Sequence, residues 1–276
     1  MSFLKKFQDV AEQVGRQATA FGTEASRSIG QGSKELASGF TLEKECERAA
    51  KTLQSFLANP NDPQSALNSI PKAVLQRAKG LAVFRVLKAG FVWSGSAGSG
   101  LVIARLPDGS WSAPALIATG GMGFGFQIGA DVSEYVVVLN TDDAVRSFTS
   151  AGNLQIGGSI SATAGPIGTG AAINTALLAP APLFTYSQSK GAYAGAALTG
   201  AALIERKDAN AQFYGIQITA AELLGGKIPA PEAASSLYSV VEAAEQVDES
   251  NLPSQSYVPP PVAQASDKPI FDSEAH

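Results

Sequence analysis

TGGMGFGFQIGAD, Thr119 to Asp131, carries five glycines in thirteen residues. Such density first suggests a phosphate cradle, so its spacing decides between a nucleotide-binding α/β fold and something architectural. Gly121, Gly123, Gly125 and Gly129 alternate with Met122, Phe124, Phe126 and Ile128. A period of two is the signature of a strand, here with one bulky apolar face and one nearly bare face. The dinucleotide fingerprint G-x-G-x-x-G fails because Ile128 stands where the third glycine belongs, counting from Gly123. A P-loop needs a lysine and a hydroxyl after its last glycine, and Ala130 and Asp131 follow Gly129. Similar bare faces recur in SGSAGSG, GGSISATAG and GAYAGAALTG, which predicts several strands that allow a backbone or a helix to approach closely.

Working outward, helical patterns flank the strands. Thr41 is a candidate cap for a helix with Leu42, Cys46, Ala49, Leu53 and Phe56 on one face, and Glu43 and Glu45 in its first turn. Ser69 precedes IPKAVLQRAKG, read as a second helix stopped at Gly80. SGLVIARLPDGSWSAPALI reads as a hairpin turning at Pro107, Asp108 and Gly109. SEYVVVLN reads as a buried strand, TDDAVRSF as a short helix, and LQIGGSISATAG and GAYAGAALTGAALIER as further strands. TAAELLGG holds a capping box from Thr219 to Glu222, and PEAASSLYSVVEAAEQV forms a last amphipathic helix. Helices at both ends and strands bunched between them predict an α+β fold. Its core is a mainly antiparallel, glycine-rich curved sheet or barrel-like structure.

Two segments flank this body, expected over residues 41–247. In residues 1–40 the apolar positions Phe3, Phe7, Val10, Val14, Ala18, Phe21, Ala25 and Ile29 follow an eleven-residue period, keeping one stripe on a nearly straight helix. Gly15, Gly22, Gly30 and Gly32 weaken that helix by about 1 kcal/mol each. It either docks on the body or another copy, or forms on a membrane surface, to which Phe3, Leu4 and Phe7 beside Lys5 and Lys6 are suited. Residues 248–276 are rich in proline, serine and acids and read as a disordered tail. Its Pro259, Pro260 and Pro261 either stay solvated or adopt polyproline II and dock on a Src-homology-3 or WW domain.

Composition removes most chemistry. One cysteine, Cys46, and one histidine, the terminal His276, cannot build a cysteine–histidine zinc site, a Ser/His/Asp triad or an internal disulfide. Cys46 falls on the apolar helix face and reads as core. The formal charge of -4 is carried by the tail, leaving residues 1–246 neutral, unlike a nucleic-acid-binding body. Ser187 to Lys190 spells S-x-x-K, but it precedes a glycine-rich strand rather than opening a helix. Asp142 with Asp143, and Glu43 with Glu45, fall in first helical turns, where acids are favoured. No enzyme, metal or cofactor is expected. The N-terminus lacks a signal-peptide pattern, and no apolar run is long enough to span a bilayer as a helix. A cytoplasmic setting follows.

The run from Ile70 to Ile117, followed by FQIGADVSEYVVVLNTDDAVRSF, GNLQIGG, AGPIG, YSQSKGAYAG and LIERKDANAQFYG, resembles the SYLF domain family from about Leu42 to Val241. That resemblance implies a non-enzymatic module recognising phosphoinositides and other anionic lipids at peripheral membrane or cortical actin sites. In fungal relatives the same region binds actin filaments during endocytosis, and many relatives carry an amphipathic helix in front. On matched positions it implies lipid contacts by Lys72, Lys79, Lys88 and Lys190, with Arg77 and Arg105 in support and Phe3, Leu4, Lys5, Lys6 and Phe7 ahead of the domain. Ser96, Thr169 and Thr199 stand where relatives commonly have charged residues, so headgroup choice and actin binding are expected to differ. No folded Src-homology-3 module fits after Val247, in contrast to many fungal relatives.

Overall fold

The computed structural model describes residues 41–59, 69–149, 162–168, 181–246 and 256–257, with positions 62, 65 and 177. Three long strands dominate: β1 Gly80–Ala104, β2 Ala115–Leu139 and, after two short strands, β5 Leu183–Glu205. β2 pairs antiparallel with both β1 and β5 along nearly its whole length. The glycine stretch and SEYVVVLN, expected as separate strands, are therefore one. The short strands are β3 Ala162–Ala164, parallel to β5, and β4 Ile167–Gly168, antiparallel to β6 Ser256–Tyr257.

A straight strand of 25 residues would span roughly 80 Å. Yet the Arg105 N–H donates to the Lys79 carbonyl at 2.9 Å, so β1 bends double. Its halves lie against each other: a Cβ on Gly100 would meet the Val83 carbonyl oxygen at 2.2 Å, and one on Gly98 the Arg85 carbonyl oxygen at 2.2 Å. These partners are symmetric about the register shift between Phe91 and Trp93, which marks the bend. β2 and β5 follow it, because Gly90 pairs with Gly129 and Gly129 with Tyr193. The glycines of the opening stretch thus lie in the bend of a three-stranded ribbon, where a chain without Cβ atoms turns most readily.

At the open end of the ribbon the strand halves come side by side. Asn140 donates to Pro182, Lys79 to Leu139, Arg105 to Lys79 and Arg206 to Leu116 through backbone hydrogen bonds of 2.8 to 2.9 Å. Six strand segments so form one base. Among the described residues the strand order is open, β1-β2-β5-β3, and the curved sheet rather than a closed barrel is what forms.

Both faces of this base are buried, which is why its strands read as apolar runs. On one face Leu81, Val83, Leu101, Ile103, Leu116, Val136 and Val138 pack with Leu42, Cys46 and Leu53 of α1 Leu42–Ser55, Val74 and Leu75 of α2 Lys72–Arg77, and Leu237 and Val241 of α6 Ser235–Gln246. On the other, Ala82, Phe84, Val102, Ile117, Val137 and Leu139 meet Phe148 of α3 Asp142–Thr149 and Leu223 and Leu224 of α5 Ala220–Leu224. Each fully buried leucine contributes about 1.5–3 kcal/mol.

Helix ends refine the expectations. Thr41 holds the N-cap position of α1 with extended backbone but makes no side-chain cap bond. Ser69 does not cap the second helix: α2 begins after Pro71, whose φ of -64° already suits a first turn, and ends at Ala78. Thr141 caps α3, accepting from Ala144 N at 3.1 Å, and the Thr219–Glu222 capping box is present on α5. The hairpin turns at Gly109, with φ +87°, as its sequence requires. Helix α4, Lys207–Tyr214, escaped the periodicity reading; Gly215 ends it in the left-handed region at φ +71°. Of LQIGGSISATAG only Ala162–Ala164 is a described strand. The N-terminal segment 1–40 lies outside the described residues. Within the tail read as disordered, Ser256 and Tyr257 pair with Gly168 and Ile167, a bridge helped by the strand preference of tyrosine.

Candidate functional site

The short helix α2 gathers three of the basic positions. Lys72 is its first residue, Arg77 its last, and Lys79 follows immediately before β1. Arg77 and Lys79 are exposed and Lys72 half-buried. Arg77 donates Nη1 to the Leu177 carbonyl at 3.1 Å, which steadies its stem without neutralising its charge. A lysine in a first helical turn opposes the helix dipole.

Arg105 is different. Its Nε donates to the Ala78 carbonyl at 3.3 Å, Nη1 to Gly109 at 3.1 Å and Nη2 to Leu75 at 3.3 Å. Nη2 also pairs with Glu245, and the guanidinium stacks 4.1 Å from the Trp111 ring centre. This side chain ties α2, the hairpin turn and α6 together.

Lys88 and Lys190 lie in different strands at neighbouring register levels. Lys88 is opposite Asp131, and Lys190 is opposite Val132. Asp131 is buried and accepts from the hydroxyls of Ser133 and Ser189, each at 2.5 Å. Both lysines lie along the strands toward the bend, Lys88 eight residues into β1, whereas the α2 group sits at the start of that strand, so the six body positions do not form one patch. Phe3, Leu4, Lys5, Lys6 and Phe7 lie outside the described residues, as do Thr169 and Pro259 to Pro261. Ser96 donates to the Gly121 carbonyl at 3.3 Å, and Thr199 is level with Gly123.

A buried polar network under α1 was not foreseen. Glu45, 2% exposed, accepts from Arg48 at 2.7 Å and from Ser99 at 2.9 Å. Beside it Glu134 accepts from Arg85 at 2.6 Å and, weakly, from Thr52 at 3.4 Å. Glu45, Arg48, Thr52, Arg85 and Ser99 line a small cleft between α1 and β1. Glu45 is therefore not merely a first-turn acid: its carboxylate fastens the helix to the sheet. The available signal was its position among Leu42, Cys46 and Ala49, an acid on an apolar stripe. Paired buried charges of this kind position elements more than they stabilise them.

The remaining chemistry is sparse. Burial, reinforced by Glu45 and then Glu43, pushes the Cys46 thiol up to about 12, so it stays protonated and inert. Ser187 to Lys190 lies inside β5, where an S-x-x-K nucleophile has no helix to open. Among the described residues no three histidine, cysteine or acidic side chains gather as metal ligands, and no helix is long and apolar enough to cross a membrane.

Comparison with known proteins fits this picture. A family model described as "Ysc84: Las17-binding protein actin regulator" matches residues 120–244. LAS seventeen-binding protein 3 of Saccharomyces cerevisiae is 47% identical over 204 residues, covering 73% of this chain and 44% of the relative. Protein YSC84 of the same yeast is 45% identical over 204 residues, covering 73% and 43%. The human SH3 domain-containing YSC84-like protein 1 is 44% identical over 203 residues, covering 73% and 58%. The chain thus spans about half the length of these relatives. No solved structure matches it.

Proposed function

Since the chain belongs to the Ysc84/SYLF domain family, whose members are regulators rather than enzymes, we propose that it is a peripheral membrane module that binds phosphoinositides and other anionic lipids and couples them to the actin cytoskeleton. The observation that carries the lipid part is the placing of Lys72 and Arg77 at the two ends of α2, with Lys79 just after it, in a chain whose residues 1–246 carry no net formal charge. Phosphate monoesters and diesters are met by lysine and arginine through charge-assisted hydrogen bonds, and each basic residue near an anionic surface contributes about 1 kcal/mol. Residues 1–40 add an amphipathic anchor, with Phe3, Leu4 and Phe7 in the interface and Lys5 and Lys6 at the headgroups.

Flotation with vesicles containing phosphoinositides tests this directly. Replacing Lys72, Arg77 and Lys79 together by glutamine weakens binding roughly a hundredfold, and removing residues 1–40 weakens it further. Absence of flotation with any anionic vesicle at low salt overturns the lipid reading. The actin part rests on the family description, which names an actin regulator. On that basis a second reading is a filament-binding scaffold with little lipid contact, for which filament co-sedimentation is insensitive to deletion of residues 1–40. Pro259 to Pro261 offer a ligand to a Src-homology-3 or WW domain on another protein.

A further inference from the structure

Three uncharged runs, residues 89–104, 109–130 and 191–204, meet in the fold. The register lays Phe91 beside Ile128 and Ile128 beside Ala194, then Trp93 beside Phe124 and Phe124 beside Leu198. Phe126 pairs with Ala196 between them, and Tyr193 with Gly129. All of these positions surround the bend of the ribbon. Among the described residues the two apolar cores lie at the other end, reaching Val86, Leu101, Ile117, Val136, Tyr186 and Leu203. The first charges below the bend on the descending arm are Lys88, with Asp131 opposite it, and Lys190 one level further down, opposite Val132. The Asp131 carboxylate is held by Ser133 and Ser189, and two lysines against one carboxylate leave the rim net positive, which favours an anion.

We propose that this bend is a membrane-interface wedge: its uncharged, aromatic-rich tip enters the headgroup layer of an anionic bilayer, while Lys88 and Lys190 at its rim meet the lipid phosphates. The proposal rests on the lipid reading above and adds a second, sheet-borne contact to α2 and the N-terminal segment. Aromatic residues flanked by lysines suit the boundary between headgroups and acyl chains. From Lys88 to the turning point near Val92 the ribbon rises by about 13 Å, enough to pass the phosphates. The ribbon has open edges, and unpaired backbone groups are not tolerated in hydrocarbon, so the tip stays at interfacial depth.

The protein's two tryptophans make the test specific, because Trp93 is near the bend and Trp111 is buried under Arg105. The full chain carrying Trp111→Phe is mixed with phosphatidylcholine vesicles containing phosphatidylinositol bisphosphate and brominated acyl chains. Its emission is expected to shift to the blue and to be quenched. In the otherwise native chain Trp93→Phe abolishes that quenching, which serves if the Trp111→Phe variant does not fold. Trp93→Ser lowers flotation about tenfold. Flotation without quenching overturns the wedge and leaves the lipid reading standing; no flotation overturns both. Two other results identify a different occupant and also overturn it. Blue emission without vesicles that reddens on dilution means a second copy, and reddening on removal of residues 1–40 means the chain's own N-terminal segment.

Discussion

At Gly100 the fold depends on a missing side chain. A Cβ there would lie 2.2 Å from the Val83 carbonyl oxygen and 2.4 Å from the Phe84 Cβ, inside a strand that cannot retreat. Gly100→Ala should therefore destabilise the protein by about 2 kcal/mol or more. Gly95→Ala, where nothing lies within 4 Å, should be close to neutral. Equal denaturation midpoints for the two variants would contradict the close approach of the strand halves. Arg105 provides the opposite case, a long side chain engaged at every nitrogen. Arg105→Lys loses the planar fork and the stacking on Trp111, and should cost about 1–3 kcal/mol while leaving flotation unchanged. A loss of flotation with normal stability would return Arg105 to the lipid surface.

At the scale of elements, α5 is held by its capping box, and Glu222 is the titratable part. The Lys227 hydrogen bond, followed by those from Thr219, lowers its carboxyl to about 2 from 4.5. Because the folded form is the more acidic, the stabilisation is complete above about 4.5 and is lost as pH falls toward 2. Thr219→Ala should cost about 1 kcal/mol. In Glu222→Gln the acid-dependent loss around α5 should disappear, seen by amide exchange in Leu223 and Leu224. The capping box and the Gly109 turn were legible because both rest on neighbours in sequence. Ser69 misled because a good cap residue two positions upstream competes with Pro71, which can itself start a helix. Helix α4 was hidden by its weak amphipathicity. The length of β1 and β2 was hidden for another reason: glycine-rich bends look like breaks, and only cross-strand pairing shows that the strands continue through them.

For the whole molecule, the two helix layers and the six-segment base account for why apolar strand ends alternate with glycine-rich middles in this chain. The alternation of period two revealed strands, and helices at both ends revealed the α+β class. The candidate site was legible only through family resemblance. Nothing local distinguishes Lys79, which reaches solvent beside α2, from Arg105, whose donors all turn inward. The buried Glu45 and Glu134 pairs bring together residues from α1, β1 and β2, a juxtaposition with no trace in any one segment.

The doubled strands also impose a history on the folding chain. The Lys79–Arg105 hydrogen bond joins residues 26 apart, whereas Arg206–Leu116 joins residues 90 apart. Loop closure favours the shorter by about 1 kcal/mol before any packing is gained. The ribbon should therefore assemble from the inside outward, β1 closing first and β5 zipping on last. Gly100→Ala should then mainly slow refolding, and Leu203→Ala, at the far end of β5, mainly speed unfolding. Stopped-flow chevrons of the two variants would show the order, and the reverse assignment would mean that the outer arch forms first and the inner one is drawn up inside it.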